Sequence, residues 1–461
     1  MSLNWLNELT LTRVVSMLKQ NGVEEILIKF LASNDNSKNQ IYLAGDMSQV
    51  GKIPSGEVSA HLGTSEKSKG VGAVFRAPLK FGWLNVYGEV TPAIHAKLIF
   101  YPQFPEVRLS GFLRGCSDAP SELFDVQKRG REPGRVLVLG IKRNKEIVAI
   151  VLTDSSPAAN ELRNDAKLER YGALHSLVLD DHQDDPLELF RLLCRIHGMG
   201  FVSARRLDPL GNVVPCTSSN CNGNTLEALL GIRSNGFALP DLMGWEVKAR
   251  TVAKVSKPGA STVTLFTPEP SGGIYRSLGL EAFLNQFGYP DSGNRDRINF
   301  GGVYRNNGAA HARTGLRLRI EGFRLESPRT FSADGGVELV DAKENIAMQW
   351  SFAKLLEHWK NKHAKVVYVP CEKGVGGPLR YQYGRNVVVG LGADFSRLLE
   401  LFAKGKVYYD PGIKMEGCST GKPKSKRRSQ FRIKSSDIPD LYEHSGVVDV
   451  CDPSNLNELL L

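Results

Sequence analysis

From Trp245 to Ala249 the side chains run apolar, acidic, apolar, basic, apolar. A period of two is the signature of a strand, so Trp245, Val247 and Ala249 face one way and Glu246 and Lys248 the other. The apolar face can anchor in a core, which leaves a carboxylate and an amine two residues apart on the open face. Just upstream, Pro240-Asp241 precedes Gly244, and a turn there brings Asp241 back beside them. Two clustered carboxylates need a cation, and a hard divalent ion such as Mg²⁺ takes oxygen ligands of this kind. A lysine beside them can orient or deprotonate a water and neutralise an oxyanion. These parts suit metal-assisted hydrolysis of a phosphodiester. On the three residues alone, a surface strand with a Glu–Lys pair is the simpler reading, and the rest of the chain has to decide.

The chain has 461 residues, enough for two or three domains. Its formal net charge of +10 favours a polyanionic partner, nucleic acid first. No apolar run approaches the length of a membrane span. The opening residues, with Asn4, Asn7 and Glu8 among apolar ones, lack a secretory-leader pattern, so a cytoplasmic protein is expected. Seven scattered cysteines read as mostly reduced thiols.

Residues 7–20 predict a first helix. Strand signals follow at Glu25–Leu31, Gln40–Leu43, Val107–Leu113, Arg135–Ile141 and Glu146–Leu152, the last two joined by a hairpin loop at 142–145. This is a β-rich N-terminal domain, residues 1–180, without a catalytic constellation. A polar, acidic joint spans Asp154 to Asp185. Asp185-Pro186-Leu187-Glu188 then starts a helix that Gly198 ends, opening a second domain, residues 181–461. A short helix begins at Asn224, which places Glu227 at the capping-box position; the alternative is that Glu227 points into a site around Asp241. Strands are expected at Thr262–Phe266, Leu316–Phe323, Val366–Val369 and Val387–Leu391. Helices are expected at Asn345–Lys362 and from Asp394 to Lys404. Such alternation indicates an α/β domain.

The tail turns basic. Between Leu401 and Lys434 stand ten Lys or Arg residues against two acids. Residues 417–426 read as a loop. Phosphate contact is the first expectation for Lys422, Lys424 and Lys426. For Arg427, Arg428 and Arg432, phosphate contact and bidentate reading of guanine stay equally open. Cys194, His197, Cys216 and Cys221 offer a loosely spaced set of zinc ligands, far from a standard pattern. The glycines at 374–377 lack the Gly-Lys-Ser/Thr of a phosphate-binding loop. His311, His358 and His363 have no evident catalytic partner.

From Leu189 onward the chain resembles the MvaI/BcnI family of Type II restriction endonucleases, relatives of MutH within the PD-(D/E)xK nucleases. Three stretches carry this: Thr225-Leu226-Glu227-Ala228-Leu229-Leu230-Gly231-Ile232, Pro240-Asp241 through Trp245-Glu246-Val247-Lys248, and Thr262-Val263-Thr264-Leu265-Phe266-Thr267-Pro268-Glu269-Pro270. The resemblance implies a restriction-endonuclease-like core, a mixed sheet flanked by helices, behind the β-rich N-terminal domain. It implies that Asp241, Glu246 and the Val247 carbonyl hold Mg²⁺, for which Mn²⁺ can substitute. Lys248 would activate the attacking water and Glu227 would support the site from its helix. The products would carry 5′-phosphate and 3′-hydroxyl ends. The partners implied are double-stranded DNA and a cognate DNA methyltransferase acting separately. The family also reads bases with histidines, and none stands between Lys248 and His311 here. The N-terminal domain is absent from short family members and reads as a DNA-binding or effector module. Two alternatives stay open: a MutH-like strand-nicking repair enzyme, and a catalytically silent DNA-binding protein on a nuclease scaffold.

Overall fold

The computed structural model describes the chain apart from residues 1–2, 34–38, 63–71, 105, 126–131, 165–166, 178–186, 209, 219, 233–244, 325, 327–329, 360–364, 421, 457–458 and 460–461. The chain divides into two compact units, Met1–Asp184 and Asp185–Leu461. No helix among the described residues is long and apolar enough to cross a membrane.

The first unit is β-rich. A seven-stranded sheet has Val23–Phe30, Val136–Lys142 and Ile147–Leu152 at its centre, and a five-stranded sheet runs from Ile41–Ala44 to Ser59–Leu62. Ile147–Leu152 is buried at every position, as a continuous β-branched run requires. The expected hairpin pairs Val136–Lys142 with Ile147–Leu152, and Lys145 takes the left-handed conformation (φ 68°) in its loop. The first helix, Leu11–Gln20, starts later than expected, at a Thr10 cap that accepts from the Arg13 amide. The acidic joint is partly a folded element. Pro157–Asn164 is a helix that buries Ala158, Ala159 and Leu162, and Leu168–Tyr171 and Leu174–Leu177 pair as sheet strands. Charge at exposed positions hid their apolar spacing.

Elements of the second unit are numbered from its own start. Helices α1 (Glu188–Gly198) and α2 (Cys221–Leu229) pack on a six-stranded mixed sheet. That sheet contains β1 (Glu246–Val252), followed in the chain by β2 (Thr262–Phe266), which belongs to a separate sheet. Next come α3 (Gly279–Phe287), β3 (Arg297–Gly301), β4 (Arg317–Arg324), β5 (Thr330–Val340), β6 (Ile346–Ser351) and α4 (Phe352–Trp359). Then follow β7 (Lys365–Lys373), β8 (Arg380–Tyr383), β9 (Asn386–Ala393) and α5 (Phe395–Ala403). The chain ends with β10 (Val407–Tyr409), β11 (Gly412–Glu416), β12 (Lys424–Lys426), β13 (Phe431–Lys434) and β14 (Tyr442–Asp449).

β7 is the spine of the six-stranded sheet. One edge pairs in parallel with all of β1, Glu246 opposite Val366 and Lys248 opposite Tyr368. The other edge is shared, Lys365–Tyr368 pairing with β9 and Cys371–Lys373 with β8. The change of partner falls at Pro370, which has no amide hydrogen for a ladder; its carbonyl accepts from Gly384 at the turn between β8 and β9. Trp245 and Val247 join Leu189, Phe190, Leu193, Leu226, Val367 and Val389 in one core, so the apolar face of β1 is anchored as its alternation required.

A second core gathers around Phe431 of β13, whose ring lies 4.9 Å from Trp350, 5.0 Å from Phe402, 5.3 Å from Tyr409 and 5.4 Å from Phe266. This core overrides the helix expected over Asn345–Lys362. Ile346–Ser351 is strand β6, paired with β5, and only Phe352–Trp359 is helical. Helical spacing of Trp350, Leu355 and Trp359 was real but local, and sheet pairing claimed its first third. Residues 360–364, with His363, lie outside the described residues. The helix over Asp394–Lys404 has the expected ends: Asp394 accepts from the Ser396 amide, and Gly405 turns at φ 68°. Residues 424–426, expected in a loop, form edge strand β12 against β11.

Candidate active site

β1 delivers Glu246 and Lys248 side by side. Lys248 Nζ donates to Glu246 Oε1 at 3.0 Å, with Glu246 only 4% exposed. A carboxylate so buried requires a positive partner, since an unpaired buried charge costs several kcal/mol, roughly 3–5 when a partner is removed. Opposite Lys248 in register, Tyr368 is fully buried, and its hydroxyl meets that of Tyr442 at 2.7 Å. Burial pushes the Tyr368 hydroxyl up to about 12 against the pull of the Lys248 charge. Tyr442 reaches this place because Gly390 of β9 has no side chain; a Cβ there would lie 2.4 Å from the Tyr442 ring. Arg250 continues the same face of β1, is 6% exposed, and donates to the Gly259 carbonyl at 3.0 Å and to Ser261 Oγ at 3.1 Å. It fixes the connection from β1 to β2.

α2 presents Glu227. The helix starts at Cys221, three residues earlier than expected, so Asn224 is inside it and does not cap it. Glu227 is therefore past the first turn, and its capping-box role falls away. Three ties hold α2. Asn222 Nδ2 donates to Thr251 Oγ1 of β1 at 3.1 Å, the Tyr383 hydroxyl donates to the Asn222 carbonyl at 2.7 Å, and buried Thr225 exchanges hydrogen bonds with the Arg205 backbone.

Glu227, Glu246, Val247 and Lys248 line one cleft of about 780 Å³. It is also lined by the end of β12 and the stretch from there to β13, where Lys426, Arg427 and Arg428 are exposed. Ser429 and Gln430 beneath them are buried, Ser429 Oγ donating to the Pro268 carbonyl at 2.6 Å and Thr264 Oγ1 to Gln430 at 3.4 Å. Arg432 also lines the cleft, paired with Asp410 at 2.6 Å. Lys422 and Lys424 are exposed but stand outside this lining. On the sheet beside it, Lys426 lies directly opposite Lys414, and Lys424 opposite Glu416. The Lys414 charge is met on its own strand, its Nζ donating to Glu416 Oε1 at 2.6 Å, which leaves Lys426 as the exposed cation of the two.

Asp241 lies outside the described residues. The Glu246 and Glu227 carboxylates line the cleft, and oxygen donors of this kind fit a hard divalent ion rather than a thiophilic one. Among the described residues no group of three or more His, Cys, Asp or Glu is arranged to hold a metal. The loosely spaced Cys/His set, which the sequence already disfavoured as a zinc site, is used otherwise. Cys194 is joined to Cys451 and Cys216 to Cys221 as disulfides, while His197 Nδ1 meets the Tyr383 carbonyl at 2.8 Å. The same pairs correct the reading of mostly reduced thiols; Cys116, Cys371 and Cys418 are free.

Sequence reasoning missed Arg250, Tyr368 and Tyr442. The alternation that singled out Glu246 and Lys248 extends one step further to Arg250. The two tyrosines had no local signal, since they meet across 74 residues of chain.

No curated protein sequence matches the chain. Among solved structures, the restriction endonuclease MvaI in complex with cognate DNA is similar at 18% identity and a TM-score of 0.43, over 57% of this chain and 98% of that one. MvaI without DNA is similar at 14% identity and a TM-score of 0.33, over 59% and 99%. The model of the MvaI/BcnI restriction endonuclease family matches residues 191–442. That span holds β1, α2 and the whole cleft and exceeds half of the sequence, so the chain belongs to the MvaI/BcnI restriction endonuclease family.

Proposed function

We propose that this sequence-specific DNA endonuclease of the Type II class cuts both strands of a duplex in the presence of Mg²⁺, leaving 5′-phosphate and 3′-hydroxyl ends. The observation that carries the reading is the Glu246–Lys248 pair in a cleft that Lys426, Arg427 and Arg428 also line. The basic lining binds and orients the phosphate backbone. Lys248 Nζ, held by Glu246, orients the attacking water and neutralises charge that develops on the phosphate oxygens. Water adds to phosphorus, the bond to the 3′ oxygen breaks, and that oxygen leaves with a proton. Glu246, the Val247 carbonyl and Asp241 would hold Mg²⁺ or Mn²⁺, and Glu227 supports the site from α2. Bound there, the ion supplies charge stabilisation and a more acidic water. A separate methyltransferase protecting the host sites, a cytoplasmic location, and an N-terminal domain over residues 1–180 that acts as a DNA-binding or effector module complete the proposal.

The test is cleavage of unmethylated phage DNA in Mg²⁺, with EDTA and Lys248→Ala as controls. Discrete bands lost in both controls support the reading. Lys248→Ala is expected to lower cleavage by at least about 10²-fold, the scale of a positioned acid–base group, while DNA binding in EDTA stays near that of the parent. Wild-type rates from Lys248→Ala would remove it from the site. Supercoiled plasmid that stops at nicked circles would favour the MutH-like alternative, and binding without cleavage would favour the silent scaffold.

A further inference from the structure

Among the described residues, the cleft contains one acidic group that the hydrolytic reading does not use. Glu269 lies in the loop after β2, is exposed, and lines the cleft together with Arg427. Its backbone is rigid on both sides. Pro268 and Pro270 flank it and are buried, and the Pro268 carbonyl accepts from Trp350 Nε1 at 3.0 Å and from Ser429 Oγ at 2.6 Å. Its side chain is held as well. The hydroxyl of Tyr275, 5% exposed and packed against Phe283 with ring centroids 5.5 Å apart, donates to Glu269 Oε2 at 2.6 Å. Burial, then the hydrogen bond to Glu269, push the Tyr275 hydroxyl well above its ordinary value, so it stays a donor across the working range. Among the described residues no ion pair joins Glu269 to Arg427.

A preorganised carboxylate on the wall of a polyanion-binding cleft needs a reason. It repels phosphate, and once covered by DNA it costs free energy unless it meets a hydrogen-bond donor. On the major-groove edge of a duplex the donors are cytosine N4 and adenine N6, and carboxylates characteristically accept from cytosine N4. Guanine O6 or thymine O4 in the same place would set one acceptor against another, with no proton between them, which disfavours the wrong base. Resting on the endonuclease reading above, we propose that Glu269 is a specificity-determining residue whose carboxylate accepts from the exocyclic amine of a cytosine in the recognition sequence, with Tyr275 as its positioning residue.

The test is selection of duplexes from a randomised library by Lys248→Ala protein, with and without Glu269→Gln, Glu269→Ala or Tyr275→Phe. Lys248→Ala alone is expected to enrich a defined sequence. Glu269→Ala is expected to lower discrimination at a single G·C position by roughly 5- to 150-fold, the range for one base contact, with the other positions unchanged. Tyr275→Phe weakens the same position to a lesser degree, because it frees the carboxylate without removing it. The near-isosteric Glu269→Gln guards against misfolding and is expected to melt with its parent. A uniform loss across all positions, a change centred on an A·T pair, or unaltered preferences would each overturn the proposal. So would a collapse of cleavage rate in Glu269→Gln with Lys248 intact and preference unchanged, which would make Glu269 part of the hydrolytic machinery. Failure of Lys248→Ala protein to enrich any sequence would overturn the endonuclease reading itself, and this assignment with it.

Discussion

Tyr368 and Tyr442 show how a site depends on residues that never reach its substrate. Their hydroxyls share one hydrogen bond in full burial, directly across the sheet from Lys248. Tyr368→Phe removes the partner that Tyr442 has there, and an abandoned buried hydroxyl costs about 1–3 kcal/mol. The unfolding free energy of Tyr368→Phe should fall by that amount. The Tyr368→Phe/Tyr442→Phe double variant should lose less than the sum of the singles, and strict additivity would show that the contact contributes nothing. Both tyrosines and Cys371 also set an alkaline limit. Burial raises Cys371 from its ordinary 9.0 to about 12 and Tyr368 from 10.0 to about 12. A raised folded-state value contributes stability in full below the unfolded value and loses it as pH climbs through the folded one. Denaturant midpoints should therefore hold steady up to about pH 9 and fall between there and 12. A midpoint that stays flat to pH 12 would contradict the burial of these groups.

Among the elements, α2 and the β12–β13 stretch approach the cleft from different parts of the sequence. Thr225 ties α2 to the Arg205 backbone, so Thr225→Val should cost about 1–3 kcal/mol and lower turnover more than DNA affinity, since Glu227 rides on the same helix. Equal losses in both would separate the tie from the site. Lys426→Ala removes one exposed charge from the basic lining. The slope of log affinity against log salt should become shallower by about 0.9, with sequence preference kept. β1 was legible because alternation is a local signal: Trp245 and Val247 are in the core, and Glu246 and Lys248 share the other face. α2 was legible as a helix but not in its start, because Cys221 and Asn222 owe their places to a disulfide and to tyrosine and threonine partners distant in sequence. β6 was misread for the same reason, since Trp350 is claimed by Phe431 and Tyr409 of another sheet. Local pattern names an element where its own residues decide it and fails where distant partners do.

At the scale of the molecule, the disulfide from Cys194 to Cys451 joins the first helix of the second unit to the residues just after β14, its last strand. A link across 257 residues restrains the unfolded chain strongly, typically by about 2–5 kcal/mol. Cys194→Ser should lower the unfolding midpoint of the oxidised protein more than Cys216→Ser, which opens a loop of only five residues' separation. A thiol count of the protein unfolded in denaturant without reductant should find the three free cysteines rather than seven. Equal melting of both variants, or seven reactive thiols, would show that the long link does not form. The four-stranded sheet that carries β12 raises a different matter, that of solubility. One outer strand is Tyr289–Pro290, whose proline has no amide hydrogen to offer a neighbour, and the other is Lys424-Ser425-Lys426. A free strand edge invites another copy of the chain to zip onto it, and proline and lysine are the residues that refuse the invitation. The charges suited to a polyanion thus also keep the protein from polymerising with itself, a protection that high salt would weaken.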